Sequence, residues 1–443
     1  MHVRTRIAMG AFIAALLLPV SACGGGAQEV PFPTVAPFPP KLEKRIHEIR
    51  DRVSKMRGLP PYEGVIEGIV SPEALKQYGS DQIKQLSKEE QTDLEAYDVV
   101  LTTLGLIGPA VDLEKVLSEE YTGLIAGLYL IEENRLVLVG EGNREISIQD
   151  ELTLAHEYVH SFQDGTHDIE AIRKDYQGGN LEEDGYSQYS ATIDCLIEGD
   201  AELAEELYAV EVFGKDWRKK LGAERKAAGA DEPSSDLPEF LLRDFTFNYS
   251  ECPKFVRQLY DDGGWKAVDA AYADPPATTE QVLNVAKYKS SELANTRAPK
   301  DLTELLDGWK LLDSSQFGMY DVFNYALTLA KDNKAASAAA HGWGSGWSTL
   351  YRDEADPERI VVQLSFGWDS GDDLLEFLIV YSGILDGLKA KVKVVDEEGN
   401  ARWTAPGQFG IIAIDPDLAR AEIRIASHKD ALKLATSDLE AFN

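Results

Sequence analysis

His156, Glu157 and His160 stand in the order His-Glu-x-x-His within residues 152–163, LTLAHEYVHSFQ. On a helix, residues four apart lie one above the other on the same face. Two imidazoles stacked in that way can grip one zinc ion, and the Glu beside the first can act as base on water held at the metal. The plainer alternative is a partly buried helix that carries two His and a solvated Glu. A hydrolytic zinc site also needs a third protein ligand and one open position for water. The rest of the chain must therefore supply a donor, a helix that holds the pair, and a cleft.

Local sequence favours the helix. Ser147 is a candidate N-cap, and Asp150 three residues on resembles a capping box. Asp150 and Glu151 put negative charge in the first turn, where the helix dipole favours it. Leu152, Ala155, Val159 and Phe162 recur at helical spacing, with no Gly or Pro before Gly165. Just upstream, residues 127–140 (GLYLIEENRLVLVG) read as a β-hairpin, with strands at 128–131 and 135–139 about a Glu-Asn turn. A strand there can pair with an extended substrate by β-augmentation, or be an ordinary sheet edge.

Three continuations offer a third ligand. The metzincin pattern requires Gly at 163 and His at 166; this chain has Gln163 and Thr166, with His167 one place off, so that class is rejected. The aspzincin pattern carries its Asp in G-T-x-D, which Gly165-Thr166-His167-Asp168 fits, but the Tyr-Gly expected after it is absent. The last lies in residues 191–212, ATIDCLIEGDAELAEELYAVEV, where Ile193, Leu196, Ile197, Ala204 and Leu207 mark an amphipathic helix. Glu198 and Glu202 sit one turn apart on it. Here the chain resembles the gluzincins, the thermolysin-like zinc peptidases. The resemblance implies Glu198 as the third zinc ligand and Glu202 as the carboxylate that accepts the other ring N–H of His156 and orients it. A charged solvent face is the alternative, since Glu205, Glu206 and Glu211 lie on the same helix. Gly199 weakens a helix, which makes sense where a backbone must pack closely.

In several gluzincin branches a Tyr on a later helix, often in Y-x-x-G, steadies the oxyanion formed at the peptide carbonyl. Phe247-Asn248-Tyr249-Ser250-Glu251-Cys252, followed by a helical run at 255–260, looks like that segment with Cys252 in place of Gly. Tyr249 is the donor this implies; a core or capping Tyr is the alternative, and His341 is a second candidate donor. If both helices line one site, Cys195 and Cys252, three residues from Glu198 and Tyr249, come close enough for a disulfide. Two buried free thiols are the alternative. The aminopeptidase G-x-M-E-N signature is absent, which favours cleavage within peptides. The run of helices, hairpin, LAHEYVHSFQD, EGDA, then GGW and GWG segments also resembles an uncharacterised group of exported bacterial HExxH proteins. That likeness implies a fold but no substrate.

The chain has 443 residues, room for two or three domains, and its 44% hydrophobic content is ample for packed cores. Its net charge of −32 repels nucleic acid and anionic lipid, which excludes DNA or RNA as partner. Arg4 and Arg6 precede an apolar run at 7–20, a secretory signal too short and wrongly flanked to span a bilayer. Its end, Val20-Ser21-Ala22-Cys23, resembles the bacterial lipobox. That implies cleavage before Cys23, acylation of Cys23, and a protein on the outer face of the cell membrane that touches it only through lipid. A plain signal peptide is the alternative.

The fold class read from these segments is α+β. Residues 1–22 are signal, and 23–40 a Gly- and Pro-rich tether. Residues 41–340 form a mainly helical, zincin-like catalytic domain with a β-hairpin or small sheet. Residues 341–443 form a C-terminal α+β module of ordinary domain size. In the first domain, 41–57 carries Ile46, Ile49 and Val53 on one side, and Ser71-Pro72-Glu73 opens a helix with Pro in its first position. Residues 94–106 and 113–124 look helical, and 270–288 is a loop entering a capped helix. This N-terminal part packs behind the site with no chemistry of its own. In the second, strands at 347–352, 359–366, 391–395, 409–414 and 421–425 alternate with helices at 372–388 and from His428. Gly342-Trp343-Gly344-Ser345-Gly346-Trp347 reads as an aromatic-glycine loop that packs the domain junction rather than lining a cleft. The expected activity is that of a zinc peptidase with a peptide or protein substrate. A zinc hydrolase of non-peptide amides such as cell-wall material, or a binding lipoprotein on a decayed peptidase scaffold, are the other classes.

Overall fold

A computed structural model describes residues 30–439 apart from 132, 142–144, 179–187, 230–236, 295–298 and 398, and gives backbone alone at 119–121, 174–178 and 189–190. The expected signal segment, Cys23 and the start of the expected tether lie outside the described residues. The fold is mixed α+β, about 54% helix and 18% strand.

Helix α1 (Pro40–Arg57) buries Ile46, Ile49 and Val53, as their spacing predicts, and also Arg57. Strand β1 (Ile66–Val70) follows, then α2 (Pro72–Lys84), whose first turn is capped by the Ser71 hydroxyl accepting from the Ala74 amide. Next comes α3 (Lys88–Leu104), opened by a Ser87–Glu90 capping box. The helix expected at 113–124 changes pitch along its length. A short α turn (Leu113–Lys115) passes into a π segment (Val116–Tyr121) and a 3-10 turn (Thr122–Leu124). The Thr122 hydroxyl bonds back to the Ser118 carbonyl, which diverts the backbone pattern there.

The hairpin forms as expected. Strands β2 (Gly127–Leu130) and β3 (Arg135–Val139) pair antiparallel, with Asn134 at φ 45° in the turn. β1 joins β3 in parallel, so the sheet runs β1-β3-β2 with β2 at its edge. Against it lies α4 (Ile148–His167), the helix of the His pair. Its Leu152, Ala155, Val159 and Phe162 share a core with Ile49 and Val53 of α1 and with Ala201, Ala204 and Tyr208 of α5 (Tyr189–Phe213). Helices α6 (Glu239–Ser250) and α7 (Cys252–Gly263) pack on α5 from the other side.

The C-terminal half is built on an antiparallel sheet of seven strands in the order β4-β5-β6-β10-β9-β8-β7. The strands are β4 (Trp309–Gln316), β5 (Trp343–Asp353), β6 (Ile360–Trp368), β7 (Lys391–Val394), β8 (Ala401–Ala405), β9 (Gln408–Asp415) and β10 (Arg420–Ala426). Helices α8 (Met319–Ala330), α9 (Gly371–Gly387) and α10 (Lys429–Ala435) cover it. A boundary at 341 crosses this sheet, because β4 lies before it and pairs with β5. One core also runs across that point: Leu101, Phe240, Val322 and Tyr325 pack in the same cluster as Trp343, Val362, Leu364 and Ile423. The aromatic-glycine segment is not a loop. From Trp343 it is the first half of β5, where the glycines admit close neighbours: a Cβ on Gly346 would lie 2.1 Å from the Phe317 carbonyl oxygen. Trp343 is fully buried and its Nε1 donates to that same carbonyl at 3.1 Å. No helix among the described residues is long and apolar enough to cross a membrane.

Candidate metal centre

The geometry begins with the start of α4. Asp150 N donates to Ser147 Oγ at 3.1 Å and Ser147 N to Asp150 Oδ2 at 2.9 Å, a reciprocal cap that satisfies two orphan donors. Glu151 accepts from Arg45 of α1 and from the Tyr208 hydroxyl of α5, both at 2.6 Å, which ties three helices together. With the helix so fixed, the four-residue spacing sets the His156 and His160 rings edge to face, 4.7 Å apart.

Helix α5 crosses α4 at this level. Glu198 Oε2 lies 3.1 Å from His156 Nε2 and 3.5 Å from His160 Nε2. One atom from each of the three side chains lies within 4.8 Å of the others. Burial works against both charge signs here, yet the pair wins: the imidazoles hold the Glu198 carboxyl well below the usual range. Both His are shifted upward despite burial, chiefly by Glu198. Two imidazole nitrogens and a carboxylate oxygen are the donors of a catalytic zinc site with an open position, so the residues fit that metal.

The other ring nitrogens are partnered as well. His156 Nδ1 is 3.7 Å from Glu202 Oε1 and 3.4 Å from Glu205 Oε2. Glu202 is therefore near the ring as the resemblance implies, but Glu205, which the sequence reading counted only as part of a solvent face, is nearer. Burial pushes the Glu202 carboxyl up to about 7, with the Glu205 and Glu198 charges adding and the His pair opposing. His160 Nδ1 faces Gln163 Oε1 at 3.0 Å. Sequence reading missed Gln163, although asking which polar side chain lies one turn from each His would have found it.

Glu157 is 7% exposed, and burial raises its pKa against the pull of the two imidazoles. Gly127 lets the edge strand β2 pass over it: a Cβ there would lie 3.1 Å from Glu157 Cγ and 2.5 Å from Thr153 Cγ2. Tyr249, in the last turn of α6, places its ring 6.3 Å from that of His156 and is half exposed. Asp168 is exposed and does another job: at φ 51° it ends α4, and its Oδ1 accepts from the Ala171 amide at 3.1 Å. The His341 ring is held by Asp373 of α9 at 3.0 Å.

Cys195 and Cys252 form a disulfide between α5 and α7, with Cα atoms 5.0 Å apart. Gly199, one turn on, shows why the helices can be so close. A Cβ there would sit 2.6 Å from the Cys252 carbonyl oxygen. No family model, curated protein or solved structure matches the chain.

Proposed function

We propose that this chain is a zinc-dependent peptidase of gluzincin type that cuts within peptides, held on the outer face of a bacterial membrane by lipid on Cys23. The observation that carries the reading is the meeting of His156 Nε2 and His160 Nε2 at one oxygen of Glu198, which comes from a separate helix. Zinc at these donors would supply Lewis acidity that brings the pKa of water near neutrality.

The chain's own residues do the rest. Glu157 takes a proton from the attacking water and passes it to the leaving amide nitrogen. Its raised pKa suits both halves of that transfer, because a carboxyl closer to neutrality both accepts and returns a proton. Glu205 and Glu202 keep the His156 ring oriented through Nδ1. The edge of β2 beside Glu157 supports an extended peptide being held by main-chain hydrogen bonds, which aligns a bond in mid-chain over the base. The Tyr249 hydroxyl donates to the oxyanion as charge builds on the carbonyl oxygen. The net charge of −32 weighs against nucleic acid as a partner.

Metal analysis and digestion of a peptide library by the mature chain test this. Zinc near one per chain, cleavage of internal bonds, and loss of cleavage in Glu157→Ala with zinc retained support it. Zinc without cleavage of any peptide moves the reading to a non-peptide amide or to a binding protein. A chain that takes up no zinc ends it.

A further inference from the structure

Behind His160 lies a set of polar side chains that the proposed chemistry does not use. Arg57, Asp200 and Gln163 have no solvent exposure, and Tyr272 has almost none. Arg57 Nε donates to Asp200 Oδ1 at 2.6 Å and its Nη2 to Asp200 Oδ2 at 2.9 Å. The Tyr272 hydroxyl donates to Asp200 Oδ2 at 2.9 Å. Gln163 Nε2 donates to Asp200 Oδ2 at 3.1 Å and to the Ile197 carbonyl at 3.0 Å. Gln163 Oε1 is then left 3.0 Å from His160 Nδ1.

Each link permits only one direction. A guanidinium can only donate. Asp200 takes two N–H groups of a buried guanidinium and the Tyr272 hydroxyl, so its oxygens act as acceptors. Gln163 must therefore turn its NH2 toward Asp200, where it also donates to the Ile197 carbonyl. Its carbonyl oxygen faces His160, so Nδ1 of that ring carries the hydrogen. The lone pair of the neutral ring falls on Nε2, the atom 3.5 Å from Glu198. Arg57 is itself fixed from the far side. Its Nη2 also donates to Asp269 at 2.6 Å, and its guanidinium lies 4.4 Å from the centroid of the Trp265 ring.

We infer that Arg57, Asp200 and Gln163 form a positioning relay that sets the ring and tautomer of His160, so that Nε2 is the ligand atom and α1 becomes part of the metal centre. This rests on the zinc reading above and deepens it. A change at any link acts on metal affinity without touching a ligand.

The test is zinc affinity by chelator competition, together with the absorption spectrum of the Co2+-loaded protein, on the full mature chain. Gln163→Met keeps the size but removes the acceptor. It binds zinc roughly 10–100-fold more weakly, and its Co2+ bands shift. Gln163→Glu keeps an acceptor in the same place and binds zinc within about threefold of wild type. Its extra carboxyl beside Asp200 nevertheless lowers the metal-free melting temperature below that of the Met variant. Asp200→Asn presents a donor to Gln163, turns the amide round, and weakens zinc as much as Gln163→Met does. A purely structural role gives the opposite ranking, with affinity following melting temperature. The relay is overturned if Gln163→Met binds zinc like wild type with an unchanged Co2+ spectrum, or if Gln163→Glu binds more weakly than Gln163→Met. Zinc bound by wild type with indifferent relay variants removes the relay alone. No zinc on wild type removes the hydrolase reading and the relay together.

Discussion

At two imidazoles that face one carboxylate oxygen, protons compete with a metal cation for the ring nitrogens, and this sets how the site takes up metal. His156 and His160 are both shifted upward, burial being outweighed by Glu198. Zinc must displace those protons, since only neutral imidazole ligates. Uptake therefore releases protons, and apparent affinity goes on climbing with pH above the unperturbed His value of about 6.5. Lowering pH weakens binding because the raised pKa keeps protons on the ring longer. Chelator competition at several pH values checks this, and an affinity flat above that value contradicts it. At Glu157, replacement by Gln removes the base but keeps the shape. Turnover should fall by about 10²–10⁴-fold with zinc content unchanged. At this scale the His pair and Glu157 are open to a sequence reading, because four-residue spacing is a local signal. Gln163, three residues from His160 on the same helix, carries the same local signal and is overlooked, whereas Glu205 is hidden, because its role depends on how α4 and α5 cross.

Helix α5 lies close to α7 beside Glu198, and Gly199 is where that closeness is needed. In Gly199→Ala the methyl meets the Cys252 carbonyl at 2.6 Å, a backbone atom that cannot swing aside. Ala is favoured over Gly within a helix by about 1 kcal/mol, but the clash costs about 1–3 kcal/mol, so a net loss of stability is expected. Zinc affinity should fall with it, since the ligand is the adjacent residue. Thermal melts and zinc titration check both, and a variant more stable than wild type contradicts the argument. The disulfide holds the same pair of helices over a 57-residue separation. Replacing both Cys195 and Cys252 by Ala should cost roughly 2–4 kcal/mol. Elements with local signals are read correctly from sequence: the capping box and apolar face of α4, the hairpin, and Pro72 behind Ser71. Strand β4 is not, because Asp313-Ser314-Ser315 reads as turn chemistry and its partner β5 lies beyond two helices. The second half of β5 is read correctly as a strand at 347–352, but its start at Trp343 is misread as loop because Gly and Trp alternate where branched residues are expected of a strand.

Among the described residues, helices α3 and α6, which precede residue 341, share one buried cluster with the C-terminal sheet. Truncation after residue 340 removes β5 from β4 and exposes Leu101, Phe240, Val322 and Tyr325. A chain cut there should not fold, whereas two independent domains would each survive. The same junction encloses Asp244 of α6 and Asp321 at the start of α8, each 8% exposed. Burial pushes Asp244 up to about 8, with the Asp321 charge adding, and Asp321 up to about 7, against an opposing bond from the Gly318 amide. An unfolded Asp releases its proton near pH 4. Between there and the folded value the native state binds more protons, so stability falls as pH rises, by up to about 1.4 kcal/mol per pH unit for one such group. Asp244→Asn replaces a carboxyl that the fold prefers neutral with a neutral group of the same shape. The slope of stability against pH between about 5 and 8 should flatten, and the variant should exceed wild type at the upper end. Urea unfolding at several pH values measures that slope. A slope unchanged in the variant means that Asp244 is not held neutral by burial, and that the shared core is wetter at this junction than its packing implies.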